Sequence, residues 1–385
     1  MFTYLDNAAT TKPLDSVIDE MDRIMRETWG NPSAMHSEGV RAENILKESR
    51  KKIAHTLGAR DKEIIFTSGG TESNNTLIKG IAATKKRQGK HIITTCIEHP
   101  AVLNPVKELE ASGYEVTYLG VDKTGRIDPD ELRAAIREDT ILVSIMHINN
   151  EIGTIQPIEE AGRIIRESGR DIVFHVDAIQ SYGKLHINPK RMGIDALSVS
   201  GHKIHGPKGV GFLYLRDGVR IDPLIYGGGQ EGGLRSGTEN VPAIGGLGIA
   251  AEELCRDIDS NNDHCQSIKR RLVEGLSDIE GVSFNGAYDK EYGSPSILNI
   301  AVEGVRSEVL LHSLEEREIY VSAGSACSSH HRQGSDTLRA IGLDPKLMES
   351  CIRLSFCAFT TEEEIDYTIS VMSELIPALR RFRRK

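Results

Sequence analysis

A chain of 385 residues, 39% hydrophobic and 27% charged, has the bulk for one large domain with a smaller companion and falls in the ordinary soluble range, which excludes a disordered chain. The formal charge of −9, from 47 basic against 56 acidic residues, argues against nucleic acid as a direct ligand, although the sequence ends in ALRRFRRK. No apolar run approaches the roughly 20 residues that span a bilayer, and Met1 to Asp6 lack a basic stretch followed by an apolar one, so a cytoplasmic protein without membrane association is expected.

Six cysteines (Cys96, Cys255, Cys265, Cys327, Cys351, Cys357) are scattered without C-x-x-C pairs. Reduced thiols are therefore expected, with no disulfide or zinc framework, and a single reactive thiol stays open. The basic C-terminal run reads as a solvated helix end or as a dock for an acidic partner.

From Ile64 to Leu215, short β-rich runs alternate with helical patterns: EIIFTS, HIITT, YEVTYLGV, TILVSIMHI, DIVFHVD, DALSVS and GVGFLYL. The alternation predicts an α/β domain with helices over a mostly parallel sheet. In DPDELRAAIRED, Asp128 suits a helix cap and Pro129 the first helical position, with Leu132 and Ile136 on one face. After the glycine-rich YGGGQEGGLRSGTEN, longer amphipathic segments begin near Ala243, with a strand at SILNIAV and a last helix opened by a Thr361–Glu364 capping box. These predict a smaller α+β domain. The expected division is 16–255 for the large domain and 1–15 with 256–385 for the small one.

Two glycine patterns fail as nucleotide sites. Gly246 to Ala251 loosely fits a dinucleotide fingerprint but has no strand leading into it, and Gly201 to Gly209 has Pro207 before Lys208 and glycine in place of the required Ser/Thr. A third pattern is more informative. The strand Ile64 to Thr67 runs into Ser68-Gly69-Gly70-Thr71-Glu72-Ser73, with a helix predicted from Thr71. A strand, a glycine turn and a helix start make an anion cup of free N–H groups at the positive end of a helix dipole; the same residues also read as a helix cap after a tight turn.

The predicted strand over Asp171 to Val176 ends in Asp177, and that over Asp195 to Val199 ends in Ser200-Gly201-His202-Lys203. Ligands of open α/β sheets sit at this carboxyl edge. Taken singly, the lysine reads as surface and the aspartate as a turn residue. Together, a phosphate cup, a lysine suited to a Schiff base and a carboxylate suited to a pyridinium nitrogen are the parts pyridoxal 5'-phosphate (PLP) requires.

The motifs YLDNAATT (Tyr4 to Thr11), GNPSAMH (Gly30 to His36), FTSGGTESNN (Phe66 to Asn75), EHPA (Glu98 to Ala101), NNEIGTIQP (Asn149 to Pro157), HVDAIQ (His175 to Gln180), SGHKIHGPKG (Ser200 to Gly209), RSGTEN (Arg235 to Asn240) and SAGSACSS (Ser322 to Ser329) follow in this order. By them the chain resembles the NifS/IscS-type cysteine desulfurases of the class V, fold-type I PLP enzymes, nearly end to end. The resemblance implies a Schiff base from Lys203 to PLP, Asp177 on the ring nitrogen, His99 stacked over the ring, and Gln180 and Asn150 near the phenolic oxygen. It places the phosphate on Gly70, Thr71, Ser200 and His202, with Thr238 reaching in from a second subunit of a homodimer. It gives Arg353 the substrate carboxylate, with help from Asn31, and makes Cys327 the sulfur acceptor.

The residues around Cys327 support that role in their own right. Ser322 to Ser329 is a run of small residues that reads as a mobile loop, suited to a thiolate that must reach substrate sulfur and pass it on. Cys351 and Cys357, alternating with apolar residues, read as buried fillers. The loop histidines His330 and His331 with Arg332 depart from the composition of better-known members, leaving the acceptor open between an iron–sulfur scaffold, a tRNA-thiolation protein and a thio-cofactor pathway. They read as solvated side chains, with a lowered Cys327 pKa or a shared metal as alternatives. The expected reaction turns L-cysteine into alanine and a Cys327 persulfide, and selenocysteine fits the same path. Rival readings are another class V activity, such as an aminotransferase, and a catalytically reduced sulfur-relay module.

Overall fold

The computed structural model describes residues 1–323 and 335–381. β1 (Thr3–Tyr4) leads into the chain. A seven-stranded sheet follows, built from β2 (Ile64–Thr67), β3 (His91–Thr95), β4 (Glu115–Leu119), β5 (Thr140–Met146), β6 (Val173–Asp177), β7 (Ala196–Ser200) and β8 (Gly211–Leu215) in the order β2-β8-β7-β6-β5-β3-β4. All neighbours are parallel except β8, which runs antiparallel to both β2 and β7.

Burial on both faces explains the near-continuous apolar runs of the central strands. All seven residues of β5 are buried. Side-chain alternation divides these strands between two cores: Phe66, Ile93, Val143 and Phe212 share one with residues of helices 15–27, 37–57, 158–167 and 241–256, while Ile65, Ile92, Leu142 and Leu213 share the other with residues of helices 70–85 and 100–111. The glycines of the failed dinucleotide motif serve that packing. A Cβ on Gly248 would come within 2.9 Å of Ser49 Cβ on the neighbouring helix.

A third core gathers Leu5 with residues of helices 258–277, 307–315 and 362–381 and of a four-stranded antiparallel sheet. That sheet has β9 (Val282–Asn285), β10 (Ile297–Val302), β12 (Ser322–Ala323) and β13 (Cys351–Ser355) in the order β12-β13-β10-β9, while β11 (Ile319–Tyr320) pairs in parallel with β1. The start of the small-residue run is thus a strand, with Ala323 buried against β13. Cys351 is fully buried, whereas Cys357 is only half-buried, because it lies past the end of β13 and turns back to Thr360.

The local helix signals hold. Asp128 accepts the Asp130 N–H at 2.9 Å, and Thr361 and Glu364 exchange side-chain to backbone hydrogen bonds of 2.7 and 3.2 Å. No described helix is long and apolar enough to cross a membrane.

Candidate active site

The chain order reverses between β3 and β5: β4 lies on one side of β3, and β5 to β8 lie on the other. Crevices at such switch points, beyond the carboxyl ends of the strands, are where ligands bind. A cavity of about 580 Å³ opens there, walled by Ser68 to Glu72 after β2, His99 after β3, Met146, Ile148 and Asn150 after β5, Asp177 to Gln180 after β6, and Ser200 to Lys203 after β7. Arg353 from β13 and Ala8 to Thr10 from the N-terminal segment close it.

The anion cup forms as the glycines require. Gly69 has φ 146°, a conformation closed to residues with a Cβ, and a Cβ on Gly70 would lie 2.1 Å from Ile179 Cδ1. The helix begins at Gly70, one residue before the expected Thr71. Among the described residues the N–H groups of Gly70 and Thr71 find no acceptor, which leaves them for an anion. His202, opposite, is held neutral: burial, then the charges of Lys203 and Lys208, push its pKa down to about 4, and its Nδ1 lies 3.2 Å from Thr10 Oγ1.

Asp177 is buried, and burial pushes its carboxyl above the ordinary range. Hydrogen bonds from Ile179 N–H (3.0 Å) and Asn74 Nδ2 (2.8 Å) and the nearby His99 and Lys203 act the other way. A pyridinium N–H would supply the cation this carboxylate calls for. Beneath it, the His175 ring lies 2.8 Å from Ser144 Oγ and 3.0 Å from Ser198 Oγ, tying β5, β6 and β7 side by side; burial drives its pKa to about 3.

Lys203 Nζ donates to the carbonyls of Ala8 (2.6 Å) and Ala9 (2.7 Å), and Gln180 Nε2 also donates to Ala8 (2.9 Å). His99 caps its helix by accepting the Ala101 N–H at Nδ1, and burial lowers its pKa, so a neutral ring faces the cavity. Arg353 is 5% exposed and donates to Asp6 Oδ1 (2.7 Å) and the Asn150 carbonyl (2.8 Å), while its Nε has no acceptor among the described residues.

Of the expected site residues, Gly70, Thr71, His99, Asn150, Asp177, Gln180, Ser200, His202, Lys203 and Arg353 share this cavity. Thr238 lines an adjacent cleft, and Asn31 sits on an exposed segment away from both. Cys327, His330, His331 and Arg332 lie outside the described residues. Sequence reasoning passed over Asn74, Asp6 and the two alanine carbonyls. Asn74 carried a signal, since it lies four residues after Gly70 on the same helix face. No group of three or more His, Cys, Asp or Glu among the described residues is arranged to hold a metal ion.

Comparison with known proteins gives the family. Residues 3–368 match the family model for class-V aminotransferases. The cysteine desulfurase IscS of Methanosarcina thermophila is 47% identical over 98% of this chain and 92% of its own length, and that of Pectobacterium carotovorum is 47% identical over 98% and 93%. A solved NifS-like protein superposes with a TM-score of 0.93 at 40% identity, covering 98% of this chain and all of that one. A structure of SspA in complex with cysteine gives a TM-score of 0.82 at 39% identity over 93% of this chain and all of that one.

Proposed function

Since this chain belongs to the class-V aminotransferases and, within them, to the cysteine desulfurases of the IscS/NifS group, we propose that its cavity holds PLP on Lys203 and that Cys327 receives the sulfur. One observation carries the cofactor reading. A buried carboxylate, a lysine amine and helix-start N–H groups without acceptors face the same cavity, and together they match the ring nitrogen, aldehyde and phosphate of PLP. When bound, PLP supplies an electron sink for bond changes at the substrate α-carbon.

The chain's own residues do the rest. Asp177 would hold a proton on the ring nitrogen of bound PLP, and the neutral His99 would be the ring's neighbour in the cavity. Lys203, whose Nζ is held at the Ala8 and Ala9 carbonyls, would take the substrate α-proton and later return a proton. Arg353 would offer its planar fork to the substrate carboxylate and so orient the substrate in the cavity. The Cys327 thiolate then attacks the substrate sulfur. An S–S bond forms, the Cβ–S bond breaks with its electron pair left on carbon, and protonation there completes alanine. The persulfide passes to an acceptor protein, an iron–sulfur scaffold or a tRNA-thiolation enzyme, among the reduced thiols of the cytoplasm.

A homodimer accounts for the residues that miss the cavity. The segments bearing Asn31 and Thr238 expose Trp29 (77%), Met35 (101%) and Tyr226 (77%), apolar side chains that a second copy would cover while bringing Thr238 to the other cavity. Sedimentation should give a dimer, and Met35→Glu with Tyr226→Glu should weaken it.

The deciding experiment combines the visible spectrum with the yields of alanine and sulfide from L-cysteine. Wild type should be yellow and make the two products in equal amounts. Cys327→Ala should stay yellow but release no sulfide, and Lys203→Ala should lose the covalent cofactor absorbance. Alanine release indifferent to Cys327 would favour another class-V chemistry, and a colourless wild type would favour a relay module.

A further inference from the structure

β2 is an outer strand of the seven-stranded sheet and pairs only with β8. On its open side the Arg50 guanidinium donates to the Ile64 carbonyl, and the Glu231 carboxylate accepts the Phe66 N–H at 2.9 Å. Those are the two groups that one residue of a further parallel strand would engage. Arg50 and Glu231 also clasp each other through contacts of 2.7 and 2.9 Å, with the Glu231 side chain only 2% exposed. A buried ion pair therefore stands where another strand would pair.

The next turn repeats the device. Glu72 accepts the Ser68 N–H at Oε2 and Arg235 Nε at Oε1, both at 2.9 Å. Glu231 and Arg235 both come from the glycine-rich segment 226–240, so this segment is fastened to each side of Thr67, immediately before the anion cup. A Glu72 carboxylate beside a phosphate would repel it, and Arg235 offsets that charge. Between segment and cup runs a cleft of about 160 Å³ that shares Ser68 and Gly209 with the main cavity and carries Thr238 on its wall.

We propose that Glu231 and Glu72 are positioning residues for the cofactor phosphate. By holding the N–H groups of Phe66 and Ser68 they leave those of Gly70 and Thr71 aimed at the anion, and they set where the Thr238 segment lies. The inference rests on the PLP reading above.

The test titrates apoprotein with PLP and, separately, with pyridoxal, which has the same ring and aldehyde but no phosphate, following visible absorbance. In Glu231→Gln, PLP affinity should fall about tenfold, as for one lost charge-assisted hydrogen bond, while pyridoxal affinity changes less than about twofold. Equal losses for both ligands would mark a merely structural role and overturn the proposal, as would no loss. Should Glu231→Gln fail to fold, Glu231→Asp keeps the charge but shortens its reach to the Phe66 N–H and is read by the same criteria. A wild type that takes up no PLP would overturn the cofactor reading first and this proposal with it, a result distinct from unchanged selectivity.

Discussion

Glu98 precedes the cavity-lining His99 and is buried without an ion-pair partner among the described residues. Its Oε1 accepts Thr95 Oγ1 (2.7 Å) and the Met146 N–H (2.9 Å), and its Oε2 has no partner among the described residues. Burial, aided by the charge of Asp177 and opposed by those two hydrogen bonds, pushes its pKa from 4.5 up to about 8. The folded value lies above the unfolded one, so the fold is compatible with the neutral acid. The stability this group contributes is complete below about pH 4.5 and is lost as pH rises through about 8. At about 1.36 kcal/mol per unit of pKa difference, raising the pH from about 6 to about 8.5 should remove roughly 2.5 kcal/mol. Glu98→Gln keeps the shape and the acceptor oxygen but does not titrate. Its unpartnered NH₂ costs about 1–3 kcal/mol at any pH, so the informative quantity is how the difference between variant and wild type changes with pH. Urea denaturation of both proteins at the two pH values should show the variant gaining on wild type by roughly 2–3 kcal/mol at the higher pH. A difference that stays constant, or in which the variant loses ground to wild type as pH rises, would mean Glu98 is ionised in the fold and would refute the reasoning.

Three further outcomes are expected. Arg353→Lys loses the fork that spans Asp6 and the Asn150 carbonyl, so the KM for L-cysteine should rise about tenfold or more with the cofactor absorbance unchanged, as steady-state kinetics and spectra would show. In apoprotein, His202 stays neutral until about pH 4; its folded pKa lies below the unfolded one, so its contribution to stability is present above about pH 6.5 and lost as pH falls through about 4. NMR titration of the ring should therefore show no step between about pH 5 and 8. Phe212, fully buried with its ring edge-on to Tyr182 at 5.2 Å, should cost about 3–5 kcal/mol when replaced by alanine, measured by denaturant unfolding.

The residues that line the cavity were legible because each is written in local chemistry. The glycine turn at Ser68 to Gly70 announces a left-handed residue and a helix start, and Asp177 and Lys203 follow buried apolar runs whose ends have to lie at the sheet edge. The direction of β8 was not legible. GVGFLYL reads the same whichever way it runs, since all five residues of β8 are buried and burial carries no polarity. Nor does a run of small residues tell a loop from a strand, and Ser322 and Ala323 pair with β13 because Arg353 and Ile352 present an open edge to them.

What holds the site together is non-local, and this is where reading along the chain stops. Asn74 on Asp177, Asp6 on Arg353, Glu231 on Arg50 and Arg235 on Glu72 join residues from 103 to 347 positions apart. Only topology brings such pairs together, and no period or cap encodes a partner that far away. The pairs also differ in kind from the ligand-facing groups. Each contains at least one buried or half-buried charge whose partner is stranded when the other member is removed, so the loss costs more than the contact itself. Substitution at Lys203 or Cys327 should therefore abolish chemistry while sparing the fold, whereas substitution at Asn74 or Arg50 should degrade geometry first and chemistry through it. A pair of variants from the two classes can be told apart by whether cofactor affinity or product yield fails first.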